Sequence, residues 1–372
     1  MFMFRAHTGL LVTALTVAGS AMMAPAASAA SAAERDRGHA ELQRVLGQVV
    51  ADGGVPGVLA ELRDGHAKPW LGTAGVADLQ TGHRRQPGEH FRIGSFTKAF
   101  TATVVLQLAA AGELTLDDTV AKWLPDVVEE YLGADGTKIT IRQLLNHTSG
   151  LPDAVPGQAT PHPEEPGRRF IYSKVNYTLA GMIVERTTGS ALAEEIDSRI
   201  ARPLHLTGTY LPGTDNTMRA PHARHYSKSD QAGRPTEIHD VTDADLSWAG
   251  AAGGMVSTTS DLHRFLRALL RGRLLPPALQ KEMFTTVSTE GADWVPNTRY
   301  GLGVYSQTLS CGVTLWGGGG YIQGSVTYAM GDRQGAHTLV SNMNGDWNDY
   351  VETFTRLFEA CFCSAASRHP AS

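Results

Sequence analysis

Strand-like sequence occupies the two outer parts of this chain and helix-like sequence the middle, and that division restricts the folds open to it. Residues 34 to 51 carry a helical stripe of Leu42, Val45, Leu46, Val49 and Val50. Two strand-like runs follow, Gly57–Leu62 and Trp70–Ala77. Four more come only after residue 299: Tyr300–Ser306, Val313–Trp316, Gly324–Met330 and Thr338–Asn342. Helical patterns begin at Ser95 (to Ala111, ended by Gly112), Ile141, Asn176 and Ser260, and Asn348–Cys361 closes the chain as a helix. The arrangement predicts an α+β fold, with an antiparallel sheet built from both ends of the chain and flanked by their helices. One domain over 34–366 is expected, its α+β part at about 34–112 and 246–366. A mostly helical part at about 113–245 is inserted, and a cleft should open where the two meet.

Composition narrows the partners. Of 372 residues, 42% are hydrophobic and 19% charged, as in a globular protein. The formal net charge is −5 with both signs interspersed, which argues against a nucleic-acid partner. Pro221-His222-Ala223-Arg224-His225 has no carboxylate or cysteine at ligand spacing, so a solvated loop is expected there and not a metal site.

The first 29 residues read as a signal peptide. Arg5 supplies the cationic start, and Leu10–Met23 an apolar run shorter than the ~20 residues a bilayer span needs. Ala27-Ser28-Ala29 supplies the small-x-small cleavage signal. Secretion without a stable membrane span is therefore expected. In an oxidising compartment Cys311 can pair with Cys361 or Cys363, and spacing alone does not choose between them.

Ser95-Phe96-Thr97-Lys98 is an S-x-x-K tetrad at a predicted helix start. Three residues apart on a helix, both side chains share one face. The positive field of the helix N-terminus, together with burial, disfavours an ammonium at Lys98. A neutral amine beside a hydroxyl can take the serine proton as acyl transfer begins, and the Ser95 N–H can serve half an oxyanion hole. No metal or other cofactor is needed for that chemistry.

The tetrad does not stand alone. It lies within Phe91-Arg92-Ile93-Gly94-Ser95-Phe96-Thr97-Lys98, followed by Leu114–Asp118, Leu144–Leu151, Tyr172–Tyr177, Trp248–Gly254 and Tyr300–Gly303. In this order, over about residues 40 to 363, the motifs resemble the beta-lactamase-related serine hydrolases: DD-peptidases, class C beta-lactamases and related carboxylesterases. The look is nearest that of secreted actinobacterial D-alanyl-D-alanine carboxypeptidases. The resemblance implies Tyr172 as a phenolic proton relay and Cys311–Cys363 as the disulfide, with Cys361 left over.

Three departures bear on substrate. Lys174 stands where the Tyr-x-Asn motif of the family has Asn. Pointing inward, it would lower the pKa of Lys98; pointing outward, it would merely remove an amide ligand. Gly318-Gly319-Gly320 replaces the usual cationic third motif, leaving a close backbone approach at Gly320 and an N–H at Tyr321 as second oxyanion donor. The positions that hold a terminal carboxylate in the resembled carboxypeptidases read Tyr305, Gly319 and Tyr321, none of them cationic. The expected activity is cleavage of a small peptide or amide by a Ser95 acyl-enzyme of D-alanyl-D-alanine carboxypeptidase type. Peptidoglycan stem peptides and beta-lactams are among the candidate ligands. A carboxylesterase and a degenerate peptide-binding relative are the alternatives.

Overall fold

The structure is a computed structural model that describes residues 24–65 (side chains from 36), 68–128, 137–153, 164–215, 217–230 and 232–363. Residues 1–23 of the expected signal peptide lie outside them. Among the described residues no helix is long and apolar enough to cross a membrane.

One sheet joins the two ends of the chain. Helix α1 (Ala24–Gly53) leads into β1 (Gly57–Asp64) and β2 (Trp70–Gly75). These pair with late strands β7 (Val287–Ser288), β8 (Thr298–Tyr300), β9 (Tyr305–Thr308), β10 (Thr314–Ile322), β11 (Ser325–Gly331) and β12 (His337–Met343). The order is β2-β1-β12-β11-β10-β9-β8-β7, and every pairing is antiparallel. Successive side chains of a strand leave opposite faces, so β1 sends Val58 and Ala60 to one core and Leu59 to the other. The first core is closed by Leu42 and Leu46 of α1 and by Phe354 and Phe358 of α6 (Tyr350–Phe358). The second is closed by α2 (Thr97–Ala111) and α5 (Thr259–Leu270), where Phe100 and Phe265 stack at 3.7 Å. Helices α3 (Ile141–Leu145) and α4 (Lys174–Thr188) belong to the intervening part; α3 packs on α4, and α4 packs on α2. A disulfide links Cys311 to Cys363, and Cys361 is a buried free thiol.

Four expectations are corrected. Tyr300–Ser306 is a hairpin and not one strand: Gly301–Val304 turns, Gly303 has φ +79°, and Tyr300 pairs with Tyr305. An added Cβ on Gly303 would lie 2.8 Å from the Lys98 carbonyl, so the turn is seated on α2. β10 runs through Gly317–Gly320, past the expected end at Trp316. The middle part also carries a hairpin of β4 (Tyr226–Ser229) with β5 (Pro235–Asp240), while β3 (Phe91–Arg92) pairs with β6 (Val256–Ser257) apart from the large sheet. Finally, the His-rich stretch is not simply a solvated loop: Ala223 and His225 are fully buried.

Candidate active site

Ser95 lies on a tight 3-10 turn, Gly94–Phe96, from which α2 continues. Gly94 takes φ +51°, and a Cβ there would stand 2.8 Å from the Tyr321 backbone. The nucleophile is thus held by backbone that only glycine fits. The Lys98 ammonium lies 3.1 Å from Ser95 Oγ and donates to the Ala252 carbonyl at 2.7 Å. Lys98 is 1% exposed. Burial lowers its pKa to about 7, with the charge of Lys174 pushing the same way and Asp153 opposing. A large share of Lys98 is therefore free amine at neutral pH, as a proton acceptor must be.

The Tyr172 hydroxyl donates to Ser95 Oγ at 2.6 Å. Its ring lies between Trp294 and His147, each 4.5 Å away by ring centroid, and Lys98 Nζ stands 4.8 Å from its centre. Burial raises the phenol above its ordinary range, which keeps Tyr172 protonated and able to donate. His147 adopts φ +59°, and its Nδ1 accepts from the Ser173 N–H (3.2 Å) and the Asn176 amide (3.0 Å). Burial, then Lys98, holds His147 well below its ordinary pKa. A neutral His147 is a fixed support for Tyr172. His147, Asn176 and Trp294 were not singled out in the sequence. The first two lie inside quoted motifs, whereas Trp294 sits in an irregular loop with no motif to mark it.

Lys174 meets the inward expectation, since its charge helps to lower the pKa of Lys98. It lines the cleft, yet its ammonium pairs with Asp153 Oδ2 at 2.6 Å, while the Lys174 N–H donates to Oδ1 at 2.7 Å. Its charge reaches Lys98 without standing unanswered. Asp153→Asn keeps the backbone hydrogen bond and removes the counter-charge. The acid limb of the kcat/KM profile should then move to lower pH, with less than about a ten-fold change on the plateau. A limb that stays in place would show that the Asp153 charge does not act on Lys98.

The glycine strand divides by face. A Cβ on Gly320 would come within 2.5 Å of the Ser95 nitrogen, so β10 packs directly on the nucleophile turn. Gly318 faces the Phe96 ring (3.0 Å) and does not line the cleft, which corrects its expected place at the substrate. Gly319 does line it, against the Tyr328 ring. β9 pairs with β10 only as far as Gly317, so that edge of β10 is open from Gly318 onward. There the Tyr321 N–H can join that of Ser95 as an oxyanion donor. Tyr321 is half exposed and stacks on Tyr350, whereas Tyr305 is buried with a hydroxyl lacking a hydrogen-bond partner. Together with Phe170 and Trp294 these rings wall a cleft of about 670 Å³. Among the described residues no group of three His, Cys, Asp or Glu could hold a metal ion.

Serine, lysine and tyrosine converging beside an open strand edge form an arrangement able to carry out acyl transfer to Ser95. The Beta-lactamase family model matches residues 42–361, and the chain belongs to that family of serine hydrolases. A D-stereospecific amidohydrolase from a Streptomyces species is 42% identical with a TM-score of 0.77, over 87% of this chain and 98% of that one. D-amino acid amidase from Ochrobactrum anthropi SV3, complexed with L-phenylalanine amide, is 30% identical with a TM-score of 0.76, over 90% of this chain and 100% of that one. Protein flp of Staphylococcus aureus (strain N315) is 28% identical over 264 residues, covering 63% of this chain and 51% of its own length. The chain thus spans about half the length of the curated relatives it matches.

Proposed function

We propose that this chain is an amidohydrolase that cleaves small amides of D-amino acids with apolar side chains through an acyl-Ser95 intermediate. The observation that carries the reading is the charge of the cleft. Its two cations, Arg169 and Lys174, are paired with Glu164 and Asp153, so among the described lining residues none is left for a terminal carboxylate. A D-alanyl-D-alanine carboxypeptidase needs to hold such a carboxylate; an amide does not carry one. Aromatic walls suit an apolar acyl side chain. The 42% identity to a D-stereospecific amidohydrolase supports the same reading.

Each step uses a group already in place. Neutral Lys98 takes the Ser95 proton as Oγ attacks the amide carbon, and the oxyanion meets the N–H groups of Ser95 and Tyr321. The leaving amine must be protonated before the C–N bond breaks. Tyr172, with its raised pKa, hands on a proton that the Lys98 ammonium replaces. Water then attacks the acyl-serine by the same route in reverse. The leader pattern from Arg5 to Ala29 supports secretion as the setting.

The test is ammonia release from D- and L-phenylalanine amide, with D-alanyl-D-alanine peptides and an activated ester alongside and Ser95→Ala as the blank. D-selective ammonia release, absent in the blank, is the expected result. Release of terminal D-alanine with no amide cleavage would restore the carboxypeptidase reading, and ester cleavage alone would make the chain a carboxylesterase.

A further inference from the structure

The cleft holds one charge that no ion pair answers among the described residues. Its cations are both paired, but Asp293, on the loop Gly291–Pro296 between β7 and β8, makes no ion pair among the described residues. It is exposed at the rim, and its charge reaches Tyr350, whose phenol it helps to raise. The next residue fixes the loop: Trp294 stacks on Tyr172 at 4.5 Å and 24°, and Tyr172 in turn touches Ser95 Oγ. Asp293 is therefore one residue from a ring that packs on the catalytic tyrosine. A second polar group in the same cleft lacks a partner, since the Tyr305 hydroxyl is 4% exposed and unbonded.

We propose that Asp293 binds the α-ammonium of the acyl residue, so that the cleft selects amino-acid derivatives whose α-amine is free over those whose amine is acylated. Three features converge on a cation. The uncompensated carboxylate attracts one, and the unpartnered Tyr305 hydroxyl of the same cleft can accept a hydrogen bond from one. A positive substrate also suits the chemistry, because a cation close to Lys98 further disfavours its protonation and leaves more of the amine free to act. An N-acylated substrate brings none of these gains. The proposal rests on the amidase reading for the scissile bond, but amine recognition can be read on esters as well, so the two can fail separately.

The experiment measures kcat/KM for D-phenylalanine amide, its N-acetyl form and the corresponding pair of methyl esters. Wild type, Asp293→Asn and Asp293→Glu are compared at low and high salt. Wild type should prefer the free amine by about ten-fold in each pair. In Asp293→Asn the ratio of free to acetylated should fall about five- to ten-fold, and Asp293→Glu should restore most of it. The wild-type ratio should shrink in high salt, and also above about pH 8 as the α-amine loses its proton. A ratio in Asp293→Asn within two-fold of wild type overturns the proposal, whatever happens to the rates themselves. Esters cleaved with the expected ratios but no amide cleaved would uphold Asp293 and overturn the amidase reading. Turnover of none of the four overturns both.

Discussion

Lys98→Met will lower kcat/KM on any acyl substrate by about 10³-fold and make the folded protein slightly more stable. The loss follows from position: among the described residues Nζ is the one amine bonded to Ser95 Oγ, at 3.1 Å, and a placed proton acceptor contributes about 10²–10⁴-fold. Wild-type activity should rise with pH through about 7, where Lys98 gives up its proton. The gain in stability follows from the same burial. The unfolded chain keeps the Lys98 proton up to about pH 10.4, whereas the folded chain releases it near 7. Folding is therefore opposed most fully below pH 7, and the penalty fades as pH rises toward 10. Losing the hydrogen bond to the Ala252 carbonyl offsets about 1–3 kcal/mol of the relief. A net gain of roughly 1–2 kcal/mol at pH 6, shrinking by pH 9, is the expected sum. Thermal melts of both proteins at the two pH values, beside their kinetics, check both halves. A variant that keeps its rate would remove Lys98 from the mechanism, and one that melts lower at pH 6 than at pH 9 relative to wild type would contradict the burial penalty.

What could be read from the sequence, and what could not, has a physical pattern. Ser95 and Lys98 were legible because their spacing on one helix fixes their meeting. Tyr172 was legible through its motif, 77 residues away. The two-ended sheet was legible because both ends carry strand periodicity. Gly317–Gly320 was not, because four glycines show no periodicity; what makes them strand is the register with β11 and the absence of any Cβ between β10 and the turn at Ser95. The partner of Lys174 was not legible either. Asp153 lies 21 residues back, and no periodic rule joins the two. Burial of His225 was hidden for a like reason. It comes from Thr242 and Gly324 folding over it, and both are remote in sequence.

That glycine strand gives the second large effect. Gly320→Ala should reduce kcat/KM by about 10²–10³-fold and cost about 1–3 kcal/mol of stability. The added methyl would overlap the Ile93 carbonyl and lie within 2.5 Å of the Ser95 nitrogen. Both obstacles are backbone, one inside the nucleophile turn, so neither can step aside as a side chain would. Relief must come from separating β10 from Gly94–Ser95, and that separation moves the Tyr321 N–H away from the Ser95 N–H. Two donors set for one oxyanion then no longer converge, and losing one such donor costs ~10²–10³ in kcat. Gly319→Ala is the useful contrast. Its methyl would meet the Tyr328 ring at 2.5 Å on the cleft face, a side-chain obstacle and not the backbone of the turn that carries Ser95. The Gly319 variant should lose substrate affinity, seen as a raised KM, and keep more of its kcat; the Gly320 variant should lose kcat first. Kinetics that rank the two the other way would mean that the open edge of β10 holds the substrate and not the transition state.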